Sequence, residues 1–163
     1  MALTQIQGSG ISNVTISADG EVTKAAQPAF SASPATTQSN IPINTFTDIV
    51  FGTENYDVGA NFASNVFTAP VSGKYQLSFQ IYALAIDEDS AYVQMLLDTS
   101  NRNYFQLFDP GIFDQECETF TFILSILADM DANDTAKISL YQQGGTAQVD
   151  ISTASFFTGA LIC

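Results

Sequence analysis

A strict alternation between Tyr75 and Ala83 is the feature that most constrains this chain. Tyr75, Leu77, Phe79, Ile81 and Ala83 fall on one side, and Gln76, Ser78, Gln80 and Tyr82 on the other. A period of two sustained this long is a β-strand with one face in a core. Upstream, Pro70 fixes its φ and lacks an N–H, so the strand that ends in Phe67–Pro70 must stop there. Gly73 suits the last position of a tight connection, where a positive φ is needed, and Lys74 opens the central strand.

Short strands are expected on both sides of it. Pro28 and Pro34 bracket an edge or first strand at Ala29–Ser33. Ile41 and Ile43, then Phe46, Ile49, Val50 and Phe51, form two short apolar runs, and residues 52–61 read as loop. Downstream, Ala91, Val93, Met95 and Leu97 are in phase, and Tyr104–Phe108 is stopped by Asp109-Pro110-Gly111. Phe120, Phe122, Leu124 and Ile126 mark a long buried strand. Ile138 and Leu140 mark another, and Gly144-Gly145 turns the chain into 147–151. The last run, 155–163, is apolar on both faces, so it sits centrally in a sheet or a second subunit covers its other side. Turn signals recur about every 8–12 residues and no segment shows a helical period, which makes the chain all-β, a sandwich or jelly roll.

With 163 residues, one domain can bury its own core. The net charge of −13, from four basic and seventeen acidic residues, excludes nucleic acid and anionic membranes as partners. Only 13% of residues are charged while 46% are hydrophobic, which leaves a surface of Ser, Thr, Asn and Gln. Such a surface suits burial against copies of itself, because few ions must be desolvated. Histidine, the commonest general base and zinc ligand, is absent. Cys117 and Cys163 are too few for a disulfide framework and read as reduced. Residues 1–20 show no basic start and no long apolar run, and no segment is apolar enough to span a membrane.

Residues 1–23 differ from the rest. They are rich in Ser, Thr, Gly, Gln and Asn, with Ile6, Ile11, Val14, Ile16 and Val22 scattered through them, and Asp19-Gly20 signals a small hairpin. The segment is either a frayed terminus or an arm that orders by docking onto a neighbour or a larger assembly.

Several motifs occur in a telling order. They are Gln-Pro-Ala-Phe-Ser-Ala (27–32), Asn-Tyr-Asp-Val-Gly-Ala-Asn-Phe (55–62), Phe-Thr-Ala-Pro-Val-Ser-Gly-Lys-Tyr-Gln-Leu-Ser-Phe (67–79), Asn-Asp-Thr-Ala-Lys-Ile-Ser-Leu (133–140) and Ser-Phe-Phe-Thr-Gly-Ala-Leu (155–161). Over residues 24–163 this resembles the C1q-like branch of the complement and tumour-necrosis-factor jelly rolls. Asn133-Asp134 stands where many members have Gly-Asp, and Thr158 stands for Ser. The resemblance implies a homotrimeric jelly-roll head at 24–163 built around an apolar axis, with Tyr75, Phe79, Phe157 and Leu161 expected in the trimer core. The pattern of residues 1–23 resembles segments that precede such heads in virion proteins of tailed phages, marine ones especially. That implies a virion-surface location and a major capsid protein or another virion protein as partner, with Ile6, Ile11, Val14 and Ile16 as the anchor. The expected role is capsid decoration. The alternatives are a fibre or spike knob that binds a host receptor or surface glycan, and a free lectin-like ligand.

Asp129-Met-Asp-Ala-Asn-Asp134 imitates the first half of a calcium loop and makes Asp129, Asp131 and Asp134 candidate ligands. The glycine expected sixth is Asp134, however, and the glutamate expected twelfth is Leu140, so the plainer reading is an acidic turn between two strands. No other cofactor is implied. Without histidine and without a Gly-x-Ser-x-Gly elbow, no enzyme is expected. Tyr56, Tyr82, Tyr104 and Tyr141 are candidates for stacking on sugars where they surface, and for core or subunit packing otherwise.

Overall fold

The computed structural model describes residues 14–113 and 115–163. Its strands in chain order are β1 (Val14–Ile16), β2 (Val22–Lys24), β3 (Ala29–Ser33), β4 (Thr47–Asp48), β5 (Thr53–Val58), β6 (Phe62–Ala63) and β7 (Val66–Thr68), followed by β8 (Gly73–Ile86), β9 (Ser90–Thr99), β10 (Asn103–Phe108), β11 (Cys117–Met130), β12 (Thr135–Gly144), β13 (Asp150–Ile151) and β14 (Phe156–Leu161). One sheet runs β11-β8-β14-β3-β5 with β13 also on β8, and the other runs β10-β9-β12-β7-β6 with β4 also on β12. All pairings are antiparallel. Both sheets turn apolar side chains inward, and the protein is an all-β jelly-roll sandwich.

The alternation at 75–83 does what its period requires. Tyr75, Leu77, Phe79, Ile81 and Ala83 lie in the core, facing Val93, Met95 and Leu97 of β9 and Ile138 and Leu140 of β12. At one end of the sandwich Phe30 stacks on Phe62 and Phe67, with ring centroids 5.0 and 4.7 Å away, and meets Phe157 edge-on at 4.9 Å. The final strand is central. β14 lies between β8 and β3, with Phe157, Gly159 and Leu161 inward and Phe156, Thr158 and Ala160 half-buried on the other side.

Four local expectations are corrected. Residues 53–58 form strand β5, where loop was expected, because an exposed edge strand needs only its ladder to β3 and carries no apolar alternation. Ala91 is exposed, so only Val93, Met95 and Leu97 keep the inward phase of β9. The run at 147–151 reduces to the two-residue β13, although Val149 is buried. Gly73 is not among the positive-φ glycines. It is small because the chain's end passes over it: a Cβ there would lie 2.6 Å from both the Cys163 carbonyl oxygen and Leu161 Cδ1. The Lys74 N–H donates to that carbonyl at 2.7 Å, and Ile162 N–H returns a bond to Lys74 O at 2.7 Å. Gly73→Ala is therefore expected to loosen this crossing and cost about 1–3 kcal/mol in urea unfolding.

Asp87 ties two loops together at one end of the molecule. Its carboxylate is buried and accepts from Asp89 N–H at 2.9 Å, Ala147 N–H at 2.7 Å, the Thr146 hydroxyl at 3.3 Å and the Thr146 N–H. Burial alone would raise its pKa, but the donors from Ala147, Thr146 and Asp89 outweigh it and hold the carboxyl below its ordinary value. A depressed carboxyl stabilises the fold above the unfolded-state pKa of about 3.9 and loses that contribution as pH falls through the lower native value. Asp87→Asn should cost about 2 kcal/mol in urea unfolding at pH 7. Its deficit against the parent protein should shrink once pH drops below about 3.9.

Candidate functional site

The outward face of the β8 sheet has an unusual composition for so acidic a protein. On β8 it presents Gln76, Ser78, Gln80 and Tyr82. Register places Leu127, Ser125, Ile123 and Thr121 of β11 opposite these four, and Ala160, Thr158 and Phe156 of β14 opposite the first three. Ala29 and Ser31 of β3 continue the rows across Ala160 and Thr158. Residues directly opposite share a face. Across four strands none of these side chains is charged, in a chain of net charge −13. Several of the hydroxyl and amide groups are already paired within the face. Gln76 Nε2 donates to Ser125 Oγ at 2.8 Å, the Ser78 and Ser125 hydroxyls meet at 2.7 Å, and Thr158 Oγ1 donates to Phe30 O at 2.7 Å. Such a surface can be covered at small desolvation cost. An ion pair bounds it at one end, Lys74 Nζ to Asp129 Oδ1 at 2.6 Å.

Beside this face the sandwich has an apolar edge, where β10 of one sheet meets β11 of the other. Phe105, Leu107, Ile112, Phe113, Ile123 and Leu127 there are between 46% and 72% exposed. Tyr104, Phe120, Leu124 and Ile126 fill the opening between the sheets only in part, with Phe120 stacked on Phe108 at 4.0 Å. Gln106 points inward at the same edge, and its Oε1 is buried with no hydrogen-bond partner among the described residues. An exposed apolar rim around an unsatisfied buried acceptor marks a surface that a second molecule can complete.

The trimer-core residues read from the sequence lie elsewhere. Tyr75, Phe79, Phe157 and Leu161 are 0%, 1%, 0% and 9% exposed within a single subunit, so they form that subunit's own core and offer no surface to a neighbour. The Tyr75 hydroxyl donates to Val71 O at 2.8 Å, and burial raises its pKa. Alternation identifies inward side chains but does not tell one subunit's core from an axis between three. The residues missed, Ile123 and Leu127, carried a readable signal: they are apolar in the phase that should be polar on β11.

Asp129, Asp131 and Asp134 stay close along the chain but are drawn to separate tasks. Asp129 pairs with Lys74, while Asp134 Oδ2 accepts from Asp131 N–H at 2.7 Å and Asn101 Nδ2 at 2.6 Å. Among the described residues no group of three acidic, histidine or cysteine side chains converges on a metal position. The connection instead turns on Asn133 at φ 76°, a left-handed conformation that asparagine tolerates, which explains Asn in the place of Gly. Of the anchor residues, Ile6 and Ile11 lie outside the described residues. Val14 and Ile16 stand in the β1–β2 hairpin, whose turn includes Gly20 at φ 91°. By register Val14, Ile16 and Val22 share one face, and all three are exposed.

No protein-family model matches the chain, and no curated protein matches it. Solved structures do. The globular domain of zebrafish complement 1qA protein superposes with a TM-score of 0.60 at 17% identity, covering 84% of this chain and 98% of that one. Murine APRIL, of the tumour-necrosis-factor family, gives 0.60 at 10% identity over 83% and 99%. The vertex protein P5 of phage PRD1 gives 0.56 at 18% identity over 85% and 99%. The fold is therefore that of the C1q and tumour-necrosis-factor jelly rolls.

Proposed function

We propose that the chain is a non-enzymatic structural protein of a phage particle, a homotrimeric jelly roll displayed on the virion surface as capsid decoration. The observation that carries the assembly is the uncharged β8-sheet face lying beside an apolar, incompletely filled edge. An edge set against a neighbour's face is a heterologous contact, and such contacts close into a ring when the rotation permits. Copies of charge −13 repel one another, so they can meet only where charge is missing. The residual repulsion is long-range and screened by salt, so the trimer should tighten between low and physiological ionic strength, as sedimentation would read. The phage PRD1 vertex protein of the same fold supports the particle setting.

In this reading residues 1–23 fasten the head to a major capsid protein or another virion protein. The exposed apolar face of Val14, Ile16 and Val22 supports that role, since a two-stranded hairpin cannot stabilise itself. A chain lacking residues 1–23 is expected to remain trimeric and to lose its hold on capsids. A truncated trimer that still coated them would refute the anchoring role. A second reading, a knob that grips a host receptor or glycan, is favoured by an aromatic strip on the opposite face of the sandwich, where Phe46 and Tyr141 are in ring contact at 4.7 Å.

A further inference from the structure

We propose that the outward face of the β9 sheet is a binding groove for a neutral, hydroxyl-rich oligosaccharide. The proposal rests on the knob reading for its biological setting but not for its chemistry. On β9 the outward side chains are Tyr92, Gln94, Leu96 and Asp98, and register sets Gln143, Tyr141, Ser139 and Lys137 of β12 opposite them. An open groove of about 580 Å³ lies at the Leu96–Asp98 end of these rows, lined by Phe46, Asp48, Leu96, Asp98, Lys137 and Ser139 among others.

From Phe46 at the groove wall a strip of rings continues over the sheet beyond the groove. Phe46 lies 4.7 Å from Tyr141, tilted 35°, and Tyr141 lies 6.0 Å from Tyr92, tilted 31°. Phe46 is 53% exposed, yet the loop that carries it is held down on β12. Asn44 N–H donates to Gln142 O at 2.7 Å, and Gly144 N–H donates to Asn44 Oδ1 at 2.9 Å. The Tyr141 hydroxyl is turned to Gln143 Oε1 at 2.9 Å. A large apolar ring held half in water is unfavourable for folding alone and is ready to accept an apolar partner without reordering.

Its polar half is equally preset. Asp48 accepts from Lys137 Nζ at 3.0 Å and from Ser139 Oγ at 2.7 Å, which fixes all three at the groove wall. At the end of the groove Asp98 stands opposite Asn103, and neither side chain makes a hydrogen bond within the described chain. Donors and acceptors thus stand beside ring faces. A pyranose matches that pairing, having an apolar C–H face and a rim of hydroxyls that both donate and accept. An anionic ligand is opposed by Asp48, Asp98 and the overall charge, while the groove's one lysine is already paired to Asp48. From Tyr92 to Asp98 the strand extends about 20 Å, so the occupant is several sugar units long. The groove lies on the sheet opposite the uncharged β8-sheet face, and Phe105 and Leu107 of the apolar edge, paired with Leu96 and Gln94, border its β10 side.

The test uses the full chain on immobilised neutral gluco-, manno- and galacto-oligosaccharides of two to four units, with sialylated and sulfated oligosaccharides as controls. Native mass spectrometry is run on every variant. At least one neutral series should be retained. Phe46→Ala and Tyr141→Ala should each weaken it about tenfold, and Tyr141→Phe, which keeps the ring, should not. Asp98→Asn should weaken it several-fold with the fold unchanged by circular dichroism. Retention of no neutral series at millimolar concentration, preference for the acidic controls, or binding that survives loss of both rings would each overturn the proposal. So would attachment to enzymatically deglycosylated host cells that depends on Phe46, because the partner would then be a protein. Assembly mass is read separately, so failure of the groove and failure of the trimer are distinguishable.

Discussion

Ser78→Glu is expected to turn the proposed trimer into soluble, folded single chains. Ser78 sits mid-row in the uncharged face, between Ser125 and Thr158, with its hydroxyl 2.7 Å from that of Ser125. In one subunit a glutamate there can lean into water, so the sandwich keeps its fold. In the proposed trimer three such carboxylates would be buried against neighbours with no cation to meet them, at several kcal/mol each. That amounts to a loss of about a thousandfold or more in association. Ser78→Ala removes the same hydroxyl without adding charge and should leave the mass unchanged. Sedimentation of both variants at micromolar concentration checks the expectation. A glutamate variant that remained trimeric would move the interface off this face.

Phe30→Ala is expected to cost about 3–5 kcal/mol and to leave little folded protein at elevated temperature. The ring is fully buried and touches three others, Phe62 and Phe67 face to face and Phe157 at its edge. Those rings belong to β6, β7 and β14, so the cavity opens where both sheets meet. The space cannot collapse easily, because β14 already approaches closely: a Cβ on Gly159 would lie 2.6 Å from Phe30 Cε1. Against a total stability of about 5–15 kcal/mol for a domain, one such loss is decisive. Guanidinium unfolding followed by near-UV circular dichroism measures it, and a cost under about 1 kcal/mol would mean that the cluster relaxes around the void.

Side-chain alternation announced strands wherever one face was buried and was silent where neither was, and the exposed β1–β2 hairpin was legible only through its Asp19-Gly20 turn. Tyr75 to Ala83 and Val93 to Leu97 each alternate because water lies on one side and hydrocarbon on the other. Thr53–Val58 has water on both sides of its outer half, so nothing in its side chains records the ladder that holds it to β3. Gly73 was noticed for its freedom at positive φ, whereas the fold needs its smallness, since contact with residues 161–163 depends on an end-to-end approach that no local pattern encodes. The candidate surface was half visible. Low charge pointed to contact between copies, but naming the residues required the register that aligns Gln76, Ser78 and Gln80 with their neighbours on β11 and β14. The Phe46–Tyr141–Tyr92 strip was less visible still, because Phe46 reaches it from a different part of the chain.

The position of β3 has a mechanical consequence. It follows the hairpin segment directly and is clamped on both flanks, by β14 from Ala29↔Ala160 to Ala32↔Phe157 and by β5 from Ala29↔Val58 to Ser33↔Thr53. A tug that enters through the segment ahead of β3 therefore runs along the strand's axis, between two antiparallel ladders. Both ladders share the load in shear, and no single bond at a free end is peeled first. Under the proposed tethering, a head held through that segment would resist being torn open by flow.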